Sequence, residues 1–123
     1  MSDDYKALLD DQNERITEVE RMLAERFDVS AWVDIPCGSS YVGQLHWQKA
    51  GGKERQLFIK TESTVAPFTP LRYAAPVVRC MAVVELPQLI EELRLAVSER
   101  RCSIVYAIEV ATAAAATMEG GGT

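Results

Sequence analysis

The chain has 123 residues, of which 48% are hydrophobic and 25% charged. That is material for one domain with a real core, and it excludes compositional disorder. The net charge of −5 argues against general nucleic-acid binding, which depends on neutralising phosphates.

The charge is uneven. Residues 1–28 carry nine acids and four bases, residues 29–84 three acids and six bases, and residues 85–123 six acids and three bases. A mildly basic middle between acidic ends leaves room for a local anion site. The start MSDDYK is acidic and lacks an apolar stretch, unlike a secretory signal, and no run of about 18 apolar residues predicts a transmembrane helix. A cytoplasmic protein with no membrane partner is the expectation. Cys37, Cys80 and Cys102 are odd in number, far apart and without a CxxC spacing, so neither a zinc site nor a disulfide framework is expected.

In chain order, residues 3–27 form an amphipathic helix with apolar positions at Tyr5, Leu8, Leu9, Ile16, Val19, Leu23 and Phe27, three and four apart. Asp3 and Asp4 suit its N-terminus. At about 37 Å it would exceed the width of a small domain, so part of it projects or meets another chain. Residues 29–35 read as a strand ended by Pro36, with a PCGSS loop after it.

The stretch QLHWQKAGGKERQLFIK follows, from Gln44 to Lys60. Period two places Leu45 and Trp47 on one face and Gln44, His46 and Gln48 on the other. Matching the apolar faces across a hairpin pairs Trp47 with Leu57 and Leu45 with Ile59. Ala50 then opposes Glu54, and residues 51–53 form a three-residue loop with a glycine in the left-handed region. His46, the only histidine, faces Phe58 on the side away from the core.

Residues 63–76 hold three of the five prolines and read as a long irregular segment, a common binding element. Residues 77–84, VVRCMAVV, are a near-continuous apolar run and predict a central strand with Cys80 buried and inert. Pro87 opens a helix whose stripe is Leu86, Leu89, Ile90, Leu93 and Val97, ending near Arg100 and Arg101. Residues 103–118 alternate like a strand at first, but the alanine run favours a further helix capped by Ser103. It is apolar almost all round, so it should be buried in the domain or against a partner.

Together these elements predict one α+β domain over residues 1–118, with a flexible tail at 119–123. A long N-terminal helix precedes an antiparallel sheet of about four strands, and two C-terminal helices cover one sheet face. The catalytic inventory is short. His46 is the only imidazole for a triad, there is no phosphate-binding glycine motif, and adjacent carboxylates such as Glu91 and Glu92 diverge on their helix. Neither an enzyme nor a cofactor is expected. Trp32 and Trp47 are expected in the core.

The candidate ligand or partner residues are His46, Phe58, Lys60, Phe68, Arg72, Tyr73 and Arg79, the bases and aromatics of the middle block. The reading they support is a non-enzymatic protein-interaction module, an inhibitor, adaptor or chaperone-like protein that binds a protein partner or itself as a homo-oligomer. The alternative is a binder of a small anionic ligand such as a nucleotide.

Overall fold

The computed structural model of the protein describes residues 2–49, 51–52, 54–61 and 68–121. The first helix, α1 (Ser2–Arg26), leads into strands β1 (Ala31–Cys37), β2 (Ser40–Lys49) and β3 (Arg55–Lys60). A short β4 (Phe68–Pro70) completes an antiparallel sheet in the order β1-β2-β3-β4. One 3-10 turn, Leu71–Tyr73, passes the chain to α2 (Pro76–Val84) and α3 (Leu86–Gly121). The α+β arrangement is the expected one, with an N-terminal helix, a four-stranded sheet and two C-terminal helices.

The core lies between one sheet face and the helices. Val33, Ile35, Leu45, Trp47, Leu57 and Ile59 come from the strands; Ile16 and Leu23 come from α1, Ala82 from α2, and Leu86, Leu89 and Leu93 from α3. Burying each large apolar side chain is worth about 1.5–3 kcal/mol. The Trp47 indole N–H also reaches the Phe27 carbonyl at 3.4 Å, tying the end of α1 to the sheet. The first turns of α1 project, and Tyr5 and Leu8 are exposed.

The hairpin register is as the apolar faces require. Trp47 pairs with Leu57, Leu45 with Ile59 and His46 with Phe58. Gly51 has φ of 58°, the left-handed region that suits glycine. Ala50, Lys53 and residues 62–67 lie outside the described residues. A Cβ on Gly43 of β2 would collide with the Lys60 carbonyl oxygen of β3.

Several expectations need correction. Residues 77–84 are helical, not a strand, and the fourth strand is Phe68–Pro70 instead. A continuous apolar run carries no period of its own; tertiary packing selects it. Pro76 opens α2, and Ala75 before it is extended at φ −56° and ψ 142°, as a residue preceding proline tends to be. Within α2 Arg79 and Ala82 are buried and Val78 partly so, a spacing of three to four, while Val77, Cys80 and Val84 are exposed. Cys80 is therefore a surface thiol, and the Gln12 amide donates to its Sγ at 3.3 Å.

The first strand does not stop at Pro36. It runs to Cys37 across a register shift between Ile35 and Pro36. β1 is an edge strand, where a proline costs no ladder bond. Finally, there is no helix boundary at residues 101–103. The two C-terminal segments are one helix of 36 residues, about 54 Å long, and Ser103 lies within it rather than capping it.

Candidate interaction surfaces

The face of the sheet turned away from the helices is organised in transverse rows. Trp32, His46, Phe58 and Pro70 are register partners across all four strands, and Asp34, Gln44, Lys60 and Phe68 form the next row. Four of the seven candidate residues, His46, Phe58, Lys60 and Phe68, meet here.

The His46 ring lies between two aromatics. It stacks on Trp32 with centroids 5.9 Å apart and planes at 20°, and meets Phe68 edge-on at 5.3 Å. Phe68 also makes an edge contact with Phe58 and carries the Lys60 ammonium 5.6 Å from its centroid. Phe58 is only 5% exposed, so it is a second small core rather than a free platform. Gln44 Oε1 is 3.0 Å from His46 Nε2, and the Gln44 amide donates to Asp34 Oδ1 at 3.5 Å. Burial, and then the Lys60 charge, lower the His46 pKa from its ordinary value; a side-chain hydrogen bond with Gln48 acts in the opposite direction.

Trp32 is the residue the sequence misplaced. It is 50% exposed on this outer face, not in the core. Its position one residue from Val33 in a period-two strand is the signal that finds it, once Val33 and Ile35 are taken as the buried set. Lys60 shares its row with Asp34, so the described outer face has no excess positive charge to draw an anion.

The other three candidates lie near α1. Arg79 is 5% exposed, and its guanidinium donates to Asn13 Oδ1 at 2.8 Å and to the Arg72 carbonyl at 3.0 Å. It ties α2 to α1 and to the 3-10 turn. Arg72 lies 3.4 Å from Glu20 Oε1 and 5.8 Å from the Tyr73 ring centroid. Glu20 Oε2 in turn accepts from the Leu57 amide at 3.0 Å. The β4 pairing covers only residues Phe58 to Lys60 of β3, so Glu20 satisfies the amide just past its end. Burial raises the Glu20 pKa, while the Leu57 amide and the Arg72 charge lower it. These side chains serve internal contacts, and among the three only Tyr73 is widely exposed, at 75%.

Among the described residues, a further unpartnered surface belongs to a segment outside the candidate set. Every residue from 98 to 120 of α3 is exposed, including Ile104, Val105, Tyr106, Ile108, Val110 and Met118. Five turns of helix span 18 residues and return to the same azimuth. Leu86, Leu89, Ile90 and Leu93, which face the core in the first half, and the half-buried Val97 after them are therefore repeated by Ile104, Ala107, Ile108, Ala111 and Ala115. The core-facing stripe runs on past the end of the sheet with none of the described residues over it. This period is visible in the sequence, but a break imagined at residue 102 hides it. As one continuous helix, α3 is also long and apolar enough by length and composition to cross a bilayer.

The chain matches no protein-family model, no curated protein and no solved structure.

Proposed function

We propose that this protein is a non-enzymatic protein-interaction module that self-associates through the distal half of α3. One observation carries the reading: the stripe that builds the core over residues 86–97 continues at the same azimuth over residues 104–118 and is uncovered. High alanine content keeps the segment helical without packing, and small side chains let a second helix approach closely.

Charge favours a second copy running antiparallel. Arg100 and Arg101 stand at the base of the segment and Glu119 near its end. An antiparallel pair crossing near Val110 brings Arg101 beside Glu119 of the second copy at both ends, whereas a parallel pair sets arginine against arginine.

Sedimentation velocity across a wide range of concentrations should show a reversible dimer. The double variant Ile104→Glu/Ile108→Glu should be folded but monomeric, because neither residue is buried within the chain. The variant removes two isoleucines from each copy, four from the dimer, which costs about 6–12 kcal/mol, or about 10⁴-fold or more in Kd. Arg101→Glu should weaken the dimer, and adding Glu119→Arg should restore it. A wild-type chain that stays monomeric throughout, or co-floats with phosphatidylcholine vesicles while remaining monomeric without them, overturns the reading.

A further inference from the structure

A second surface lies between the sheet edge and the first half of α3. β1 is one edge of the sheet and, at seven residues, the longer of the two; β4 has three. Its segment from Ala31 to Ile35, ahead of the register shift, spans about 16 Å. In an antiparallel pair alternate residues of a strand turn their amide and carbonyl groups away from the partner, so this edge offers unpaired backbone groups in a row.

Beside the edge runs an open groove of about 720 Å³ between β1 and the first half of α3. Its wall carries Asp34, Glu85, Glu92 and Glu99, with Trp32 and Leu95 supplying apolar surface, and among the described residues no lysine, arginine or histidine lines it. None of these four carboxylates is in an ion pair among the described residues. Glu92 and Glu99 are seven residues apart, two turns along one stripe of α3.

We infer that this edge and its acidic wall take up an extended segment of a partner protein as an added strand, with lysine or arginine alternating with apolar residues. Backbone pairing along β1 supplies the main contact. Alternate basic side chains point from the added strand toward the α3 carboxylates, and the residues between them lie toward Trp32. The charge argues against a second copy of β1 as the occupant, because its own Asp34 would enter an already acidic groove. The inference rests on the interaction-module reading but not on self-association through the distal helix.

The probe is an acetylated, amidated octapeptide of alternating lysine and valine. Binding is followed by calorimetry and by tryptophan emission, which reports Trp32 because Trp47 is fully buried. Saturable binding that weakens with salt is expected. Methylating alternate backbone amides of the peptide, or the protein change Glu92→Gln/Glu99→Gln, should each weaken it about tenfold or more. A glutamate–valine peptide should not bind.

No binding of the lysine peptide overturns the proposal. So does equal binding of the methylated peptide, which would mean charge attraction without strand pairing. The monomeric Ile104→Glu/Ile108→Glu variant should bind the peptide as the wild type does; loss of binding there would place the peptide on the distal helix and also overturn it. Because that variant reports dimerisation and peptide binding separately, either reading can fail without the other.

Discussion

His46 does not act with its sequence neighbour Trp47. The strand period sends the two side chains to opposite faces, and the partner of His46 is Trp32, fourteen positions earlier and directly across the β1–β2 ladder. The stack has a pH consequence. A histidine whose folded pKa lies below its ordinary 6.5 takes up its proton more readily in the unfolded chain. Its contribution is then complete above about 6.5 and is lost as pH falls below that value toward the folded pKa. Thermal midpoints measured between about pH 8 and pH 5 should fall more steeply for the wild type than for His46→Gln. Parallel profiles would mean that the aromatic row does not hold the ring neutral.

At the scale of elements, the strength of each assignment follows the kind of period in the sequence. The α1 stripe and the alternation in β2 and β3 are unambiguous, and all three elements stand where their patterns place them. The apolar run in α2 has no period, and the strand expectation failed there. The junction between α1, β3 and the 3-10 turn rests on Glu20, which is 13% exposed and accepts from Leu57 while facing Arg72. Glu20→Ala should cost about 1–3 kcal/mol in chemical denaturation, because it leaves the Leu57 amide without its acceptor. Glu20→Gln keeps an acceptor and removes the cost of burying a charge, so it should be nearly neutral. Equal losses for the two variants would show that the amide is not what Glu20 serves.

The whole molecule is a small packed body with one helix extending far beyond it. Residues 98–120 of α3 project about 35 Å with every side chain exposed, and the ion pair from Arg100 to Asp28 at 2.8 Å holds their base to the body. A chain ending at Ser98 should therefore unfold cooperatively with a midpoint close to that of the monomeric Ile104→Glu/Ile108→Glu variant, and should not self-associate. A large loss of monomer stability on truncation would show that the distal helix packs on its own domain. The groove along β1 survives in that shortened chain except for Glu99, so peptide binding should weaken without vanishing.

By itself the sequence determined the fold class, the hairpin register and the identity of the sheet face turned away from the helices. These follow from local periods, two for strands and 3.6 for helices, which a single chain displays directly. It could not determine that VVRCMAVV coils, that Arg79 is consumed by Asn13 and the Arg72 carbonyl, or that Trp32 stacks on His46. Each of those depends on which distant segment arrives alongside, and a periodless run or a lone side chain takes its role from that neighbour. The projecting end of α3 is the intermediate case. Its apolar stripe is written in the sequence, but only the tertiary structure shows where the sheet ends and leaves that stripe uncovered.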